Sequence, residues 1–244
     1  MCVLVSGWLD TNKDLFSTII TGAFTDLMSR EHFLLDYFSL DTMYSQADDD
    51  VIDDDVRYDN DDVLKYAKCF ANIIDCRSPF TYSHSSGIAE LARKAAVHLG
   101  YSDEEKQKMF ISGLLHDLGK LYIPVSILHK KDKLTPEERF EINKHTYYTR
   151  KILNQIDGFE DIVHCAANHH EKLDGTGYPY RIPGASLCEP DKIMAICDVY
   201  QALSEERPYR DKMPPDKVWR IIDDMADKDH LDTKLVSRMK QVFA

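Results

Sequence analysis

Two short segments of the sequence place histidine directly beside other side chains that bind metal ions. His116 and Asp117 lie together in GLLHDLGK, at the end of an apolar run. His169 and His170 lie together in NHHEKLDGTGYP, before a loop that contains two glycines. A buried histidine–aspartate pair is costly unless both side chains find partners. Because imidazole and carboxylate ligands together suit iron, manganese and zinc, the two doublets indicate metal chemistry.

Three further residues of the same ligand types lie on separate segments. His84 and His145 each lie on a predicted helix of their own, and Asp198 interrupts the apolar string IMAICDVY. A carboxylate on a buried face requires a cation or strong hydrogen-bond donors. A single histidine on a helix is more often a surface or hydrogen-bonded residue than a ligand. We apply that interpretation to the five remaining histidines, His32, His98, His129, His164 and His230.

The segments that would carry these side chains are predicted to be helices. From Val63 onward, apolar residues recur with a helical period, and no segment alternates convincingly with a period of two. Capping signals predict four helix starts, at Ser102 with Glu105, Thr135 with Pro136 and Glu138, Pro190 with Asp191, and Pro215 with Asp216. The first of these helices is predicted to run to Gly119. We therefore predict an all-α fold, a bundle of about seven helices.

The charge of the chain is concentrated in its first quarter. The 244 residues include 30 basic and 42 acidic side chains, which gives a net charge of −12. Residues 1–62 hold 15 of the acidic and three of the basic side chains, so residues 63–244 are neutral. A chain this acidic has no general affinity for DNA, RNA or an anionic membrane surface. We predict a small N-terminal helical and acidic appendage over residues 1–62 and a separate domain over residues 63–244.

Other segments bear on the connection between these parts and on the cellular compartment. The acidic run ADDDVIDDDVRYDNDD at residues 47–62 lacks the glycine turn and ligand spacing of a calcium loop, and it is predicted to be a linker. The six cysteines form no CxxC pair, and the N-terminal MCVLVSGWLD lacks the basic segment of a signal peptide. We predict a soluble, cytoplasmic protein with reduced thiols. Whether residues 1–62 are a regulatory module, a dimerisation element or a cap over the site is left open.

Two motifs together resemble the signature of a known family. The HDxGK motif at residues 116–120 and the HHExxDGxGYP motif at residues 169–179 resemble the HD-GYP phosphodiesterases, a subgroup of the HD metal-dependent phosphohydrolases. The second motif matches at every fixed position, and similarity in IPVSILHKKDKLTPEE and DVYQALSEERPYR extends the resemblance over about residues 63–244. The resemblance implies an HD-domain helical bundle that holds two divalent metal ions, iron or manganese.

The resemblance also implies which residues hold the metal ions. The implied ligands are His84, His116 and Asp198 for the first ion, His145, His169 and His170 for the second, and Asp117 as a bridge between them. A carboxylate can span two ions about 3.5–4 Å apart. Some family members hold a third ion through a glutamate one helical turn before the first histidine. This position is Phe80 here, so two ions are expected.

The implied reaction is hydrolysis of a cyclic dinucleotide, with cyclic di-GMP as the main substrate and linear pGpG as the product; a second step to GMP is left open. A hydroxide that bridges the metal ions would attack phosphorus, and the ribose 3′ oxygen would leave. Catalytic roles fall on Asp117 and on Lys120, which would neutralise a phosphate oxygen or assist the leaving group. The alternative for Lys120 is a cation at a helix end. Arg207 and Arg210 would contact substrate phosphates, which the arginine fork suits.

The loop after the doublet at residues 169–170 is predicted to contact the substrate. Gly177 permits the turn, and Tyr178 would stack on a guanine or contact a diguanylate cyclase (GGDEF) domain. Glu171 and Asp174 are predicted to support the metal ligands rather than bind metal themselves. A homodimer is left open.

Three other functions are also consistent with the sequence. The chain could be a receptor that binds a cyclic dinucleotide without cleaving it, a phosphodiesterase for another cyclic dinucleotide such as cyclic GMP-AMP, or a nucleotidase for mononucleotides. The full ligand set favours catalysis over a receptor, and the intact GYP loop disfavours a nucleotidase. Many family members carry arginine and valine at the positions of Gly87 and Ile88, and arginine at that of Lys192. These departures bear on substrate positioning and remove no metal ligand.

Overall fold

The protein is all-α, as the sequence predicts. The computed structural model describes residues 59–77, 84–205 and 212–243. These residues form nine α-helices, two short 3-10 helices and no β-strand. The α-helices are α1 (Asn60–Arg77), α2 (His84–Leu99), α3 (Asp103–Leu115), α4 (Val125–Leu128), α5 (Pro136–Leu153), α6 (Glu160–Ala167), α7 (Glu189–Ser204), α8 (Pro215–Asp227) and α9 (Thr233–Met239). The 3-10 helices are Leu118–Tyr122 and Gly184–Ser186. None of the α-helices in the described ranges is long and apolar enough to cross a lipid bilayer.

Helix α1 begins inside the acidic run that was predicted to be a linker. Its first residue is Asn60, and the backbone N–H of Asp62 donates to Asp59 Oδ1 at 2.9 Å. Acidic side chains are favourable in the first turn of a helix because its N-terminus carries a partial positive charge. The predicted border between residues 62 and 63 stays a prediction. The predictions for residues 1–58, for Phe80, and for Arg207 and Arg210 lie outside the described residues.

The predicted helix starts agree with the structure to within one residue. Both predicted capping boxes are present, with the Ser102 hydroxyl accepting from the Glu105 N–H and the Thr135 hydroxyl accepting from the Glu138 N–H. Helix α8 begins at Pro215 as predicted, whereas α7 begins one residue early. Each box satisfies backbone N–H groups that have no partner within the helix. Local capping chemistry thus sets where α3 and α5 begin.

Two hydrophobic clusters form the core, and both include residues of α2. One joins α2 to α7, α8 and α9, and the other joins α1, α3 and α6. Alanines line the buried face of α2, and a Cβ on Gly113 of α3 would lie 2.5 Å from the Cα of Ala89. Small residues therefore let α2 and α3 pack backbone against backbone. This close packing brings the first residue of α2 towards the turn that follows α3.

Candidate metal centre

The HD doublet lies in a tight turn between α3 and the 3-10 helix that follows. Helix α3 ends at Leu115, and not at Gly119 as the sequence predicted. The reason is a pair of hydrogen bonds to α5: Thr149 Oγ1 donates to the His116 carbonyl at 3.0 Å and accepts from the Gly119 N–H at 2.9 Å. The threonine hydroxyl thus replaces helical hydrogen bonds at this turn, which directs Asp117 towards α5.

Gly119 allows the turn to approach α5 closely. A Cβ at this position would lie 1.9 Å from the carbonyl oxygen of His145 and 2.7 Å from the backbone nitrogen of Thr149. Real side chains do not approach a backbone this closely. The glycine therefore sets the distance between the HD turn and the α5 histidine.

Three of the site's imidazole rings are oriented in the same way by their own helices. His116 Nδ1 lies 2.8 Å from the Gly113 carbonyl, His145 Nδ1 lies 2.7 Å from the Ile142 carbonyl, and His169 Nδ1 lies 2.7 Å from the Ala166 carbonyl. A carbonyl oxygen only accepts, so each Nδ1 carries the proton. Each Nε2 then presents its lone pair, which is the form of histidine that binds metal.

Asp117 lies between these rings. Its carboxylate oxygens are 3.1 Å from His116 Nε2, 3.4 Å from His145 Nε2 and 3.9 Å from His84 Nε2. The Nε2 atoms of His145 and His169 are themselves only 3.3 Å apart. One carboxylate is thus in reach of histidines from three separate segments.

Asp198 completes the other side of the cluster. Its Oδ1 lies 3.7 Å from His84 Nε2, and its Oδ2 lies 3.6 Å from His170 Nδ1. The structure therefore brings together all seven residues that the sequence proposed as ligands. They fall into three overlapping groups whose ligand atoms lie within 4.8 Å of one another: His84 with His116 and Asp198, His116 with Asp117 and His169, and His145 with His169 and His170.

The chemistry of this cluster fits metal ions. His116 is fully buried, yet its Nε2 has no hydrogen bond of acceptable geometry, although Asp117 Oδ2 is near. A buried polar atom without a hydrogen bond is rare and requires an explanation. A cation between His116 and Asp117 would satisfy both groups. The other four described histidines, His98, His129, His164 and His230, belong to none of the metal-binding groups.

The protonation states of the buried groups also favour cation binding. Burial lowers the pKa of His145 to about 3 and lowers that of His169 well below its usual value, so both rings are neutral at neutral pH. Burial opposes ionisation of Asp117, but the Lys120 ammonium beside it helps to hold the pKa of that carboxyl well below its usual range. Neutral imidazole and ionised carboxylate are the forms that a metal ion requires.

Lys120 lies beside Asp117, and its predicted contact with the substrate stays a prediction. Its Nζ donates to Asp117 Oδ2 at 2.5 Å, and its side chain is partly exposed. The ammonium group therefore reaches both the carboxylate and the solvent-facing side of the cluster. This placement combines a charge-assisted hydrogen bond with access for an anionic ligand.

The GYP loop is held by the buried carboxylate of Glu171. Its Oε1 accepts from the Tyr180 N–H at 2.8 Å, and its Oε2 accepts from the Ile182 N–H at 3.0 Å. A Cβ on Gly177 would lie 2.4 Å from the Cα of Glu171, so this packing explains the glycine. A substrate contact by Gly177 stays a prediction. The Tyr178 ring tilts over His170, with ring centroids 4.8 Å apart.

Asp174 supports the same loop. Its Oδ1 accepts from the backbone N–H of Thr176 at 2.9 Å and from the Thr176 hydroxyl at 2.7 Å. Its Oδ2 lies 3.4 Å from His230 Nε2. Glu171 and Asp174 lie in none of the metal-binding groups in the described part of the chain.

Several supporting residues were not identified from the sequence. Glu205 accepts from His84 Nδ1 at 3.0 Å, and Thr149 ties the HD turn to α5. Asn168 joins α5 to α7, because its Oδ1 accepts from Arg150 at 2.7 Å and its Nδ2 donates to Asp191 at 3.1 Å. Glu205 lies in the segment DVYQALSEERPYR that the resemblance singled out, but a carboxylate that contacts a histidine from a distant segment has no local sequence signal.

Glu171→Gln is expected to lower the free energy of unfolding by about 1–3 kcal/mol. Glutamine replaces one acceptor oxygen with an NH₂ group, which would face a backbone N–H and leave it buried without an acceptor. Urea unfolding followed by circular dichroism measures the change. Glu104→Gln, at an exposed position whose side chain pairs with Lys108 on its own helix, is the control and should change the free energy by less than about 0.5 kcal/mol. Equal stability of Glu171→Gln and the unsubstituted protein would contradict the role given to Glu171.

The fold and these motifs agree with comparisons to known proteins. The profile of the HD domain family matches residues 68–235, which is more than half of the chain. The chain therefore belongs to the HD domain family, and its motifs and relatives are of the HD-GYP type.

Two curated relatives show what similar proteins do. The chain is 38% identical to the 3′3′-cGAMP-specific phosphodiesterase 1 of Vibrio cholerae, over 72% of this chain and 41% of that protein. It is 32% identical to a cyclic di-GMP phosphodiesterase of Thermotoga maritima, over 61% of this chain and 41% of that protein. The chain thus spans about two fifths of the length of these curated relatives.

Solved structures support the same fold. A cyclic GMP-AMP-specific phosphodiesterase from V. cholerae aligns with a TM-score of 0.55 at 24% identity, over 93% of this chain and 52% of that one. Bd1817, an HD-GYP-type protein from Bdellovibrio bacteriovorus, aligns with a TM-score of 0.56 at 17% identity, over 75% of this chain and 62% of that one. At these identities the likeness concerns the fold alone.

Proposed function

We propose that the protein is a metal-dependent phosphodiesterase that hydrolyses a cyclic dinucleotide to a linear one. The observation that carries the proposal is the convergence of five histidines with Asp117 and Asp198, with a buried His116 nitrogen that lacks a hydrogen bond. His84, His116 and Asp198 would hold one divalent ion, and His145, His169 and His170 the other. Iron or manganese suits this mixture of imidazole and carboxylate ligands.

The chemistry divides between the metal ions and the protein's own residues. Two divalent ions, when bound, would acidify a water molecule and stabilise negative charge on the phosphate oxygens. Asp117, which is within 3.4 Å of both His116 and His145, would fix the spacing of the two ion sites. Lys120 would donate to a phosphate oxygen or to the leaving 3′ oxygen, since metal ions would take its place beside Asp117. Tyr178, half-buried over His170, offers an aromatic face for a guanine base.

Two substrates are candidates within this class. Cyclic di-GMP, cleaved to pGpG, is the substrate that the motifs imply, and the Thermotoga maritima relative is a cyclic di-GMP phosphodiesterase by name. The second candidate is 3′3′-cGAMP, because three V. cholerae relatives at 36–38% identity are named as specific for it. Contact of the GYP loop with a GGDEF domain stays a prediction, as do phosphate contacts by Arg207 and Arg210.

Product chromatography with a panel of cyclic dinucleotides tests the proposal. Protein loaded with Fe²⁺ or Mn²⁺ is incubated with cyclic di-GMP, 3′3′-cGAMP and cyclic di-AMP, and with dGTP as a mononucleotide. We expect a linear dinucleotide from at least one guanine-containing substrate. Cleavage of dGTP alone would instead indicate a nucleotidase. Tight binding of a cyclic dinucleotide without cleavage would indicate a receptor.

Lys120→Ala is expected to lower kcat about 10²-fold while both metal ions remain bound. The ammonium group would be lost from the phosphate oxygen or leaving group, whereas the seven metal ligands would be unchanged. Lys120→Arg retains the charge and should recover part of the loss. Initial rates and metal content are measured on the same samples. An unchanged kcat in Lys120→Ala would contradict a catalytic role for Lys120. Its pairing with Asp117 in the metal-free protein would then be its one remaining role.

A further inference from the structure

His84 is the one ligand histidine of the described cluster whose Nδ1 is bound by a glutamate. The rings of His116, His145 and His169 are each held by a carbonyl three residues earlier in their own segment. His84 is the first residue of α2, so no earlier turn of its own helix supplies such a carbonyl. Its Nδ1 contacts Glu205 Oε2 at 3.0 Å instead. The Glu205 side chain, which directly follows α7, thus orients His84 as backbone carbonyls orient His116, His145 and His169.

Glu205 is itself held in place by α7. Gln201 Nε2 donates to Glu205 Oε1 at 2.5 Å, while the other carboxylate oxygen faces His84. The side chains of His84 and Glu205 are 4% and 17% exposed, so the contact is shielded from solvent. Because a carboxylate oxygen accepts the Nδ1 proton, Nε2 is left to face Asp198 and Asp117, which lie 3.7 and 3.9 Å away.

Gly87 makes this arrangement sterically possible. A Cβ at residue 87 would lie 2.2 Å from Gln201 Nε2 and 2.6 Å from its Cδ. Gly87 lies one turn after His84 on α2, facing α7. The missing side chain therefore provides the space in which the Gln201 amide reaches Glu205.

We propose that Glu205 and Gln201 are positioning residues that orient His84 for one of the two metal ions, in the space that Gly87 leaves. The inference rests on the proposed metal centre and not on the identity of the substrate. Partners that hold a ligand histidine through its second nitrogen contribute about 10- to 100-fold to metal affinity. The loss should be confined to the ion that His84 holds, since His145 and His169 of the other site have their own backbone acceptors.

Calorimetric titration of the metal-free protein with Mn²⁺ tests the role of Glu205. The unsubstituted protein should bind two ions per chain. Glu205→Ala should bind one of them about 10- to 100-fold more weakly and the other as before. Glu205→Gln retains an oxygen that accepts from Nδ1, and it should recover most of the affinity. The proposal would be overturned if Glu205→Ala bound both ions as tightly as the unsubstituted protein does. A loss of affinity in Glu205→Gln as large as that in Glu205→Ala would overturn it as well.

Gly87 and Gln201 supply an independent double-substitution test. Gly87→Ala should displace the Gln201 amide and lower the affinity for the same ion that Gln201→Ala affects. The double variant should bind Mn²⁺ no more weakly than Gln201→Ala alone, because the displaced group is then absent. Alanine favours a helix over glycine, so loss of folding would not explain weaker binding in the double variant, and circular dichroism checks this. Additive losses would contradict the proposed coupling.

The two proposals fail in different ways. If the unsubstituted protein binds two Mn²⁺ ions and cleaves no cyclic dinucleotide, the proposed function is wrong. The comparison of Glu205→Ala with Glu205→Gln is read from metal affinity, so it still supports or overturns the positioning role.

Discussion

Asp117→Ala is expected to reduce hydrolysis of a cyclic dinucleotide by about 10³-fold or more. Asp117 is the carboxylate that lies within 4 Å of His84, His116 and His145, so its loss leaves the two proposed ion sites without a shared ligand. Removing it also leaves Lys120 without its partner near the cluster. The rate should fall because the spacing of the ions is lost, and not because the fold is lost.

Three measurements separate these causes. Product formation gives the rate, metal analysis gives the number of ions bound, and the thermal midpoint reports on the fold. Asp224→Ala is the matched control, because this aspartate is exposed and, among the described residues, its side chain pairs with Lys228, which directly follows α8. Substantial turnover by Asp117→Ala, with two ions bound, would contradict the role given to Asp117.

Gly119→Ala is expected to disrupt both the fold and the metal centre. Its Cβ would meet the His145 carbonyl at 1.9 Å, so α5 or the HD turn must move. We expect a loss of about 3 kcal/mol or more in the free energy of unfolding, which is typical of overpacking against a backbone that cannot yield. The same movement would separate His145 from Asp117 and weaken the binding of the second ion.

Gly158→Ala is the control for this substitution. Gly158 has a φ of 84°, where alanine is strained, but nothing lies within 4 Å of a Cβ at that position. Its cost should be about 1–2 kcal/mol, from backbone strain alone, and metal binding should not change. If Gly119→Ala destabilised the protein no more than Gly158→Ala and retained both ions, close packing of the HD turn on α5 would not be required.

The sequence predicted the elements and the ligand types well because both depend on local patterns. Capping residues mark where helices begin, so the starts at Asp103 and Pro136 follow from the Ser102 and Thr135 boxes. Histidine and aspartate doublets in apolar surroundings are expensive, and so they point to a cation even without a structure. These arguments need only neighbours along the chain.

The sequence could not predict features that depend on contacts between distant segments. The early end of α3 results from Thr149, more than 30 residues later, which binds the backbone at both His116 and Gly119. The partner of His84 is 121 residues away. The need for a glycine at residue 87 arises only because the Gln201 side chain of α7 packs against it. The start of α1 within the acidic run does not follow from repulsion between like charges, because the helix dipole stabilises acidic side chains in the first turn.

Hydrolysis measured as a function of metal content tests the central claim most directly. Metal-free protein is titrated with Mn²⁺ or anaerobic Fe²⁺, and the rate of linear dinucleotide formation from cyclic di-GMP and 3′3′-cGAMP is recorded at each occupancy. We predict no turnover without metal and a rate that rises to its maximum at two ions per chain. Two ions bound per chain with neither substrate cleaved would contradict the proposal that this cluster of histidines and aspartates is a phosphodiesterase centre.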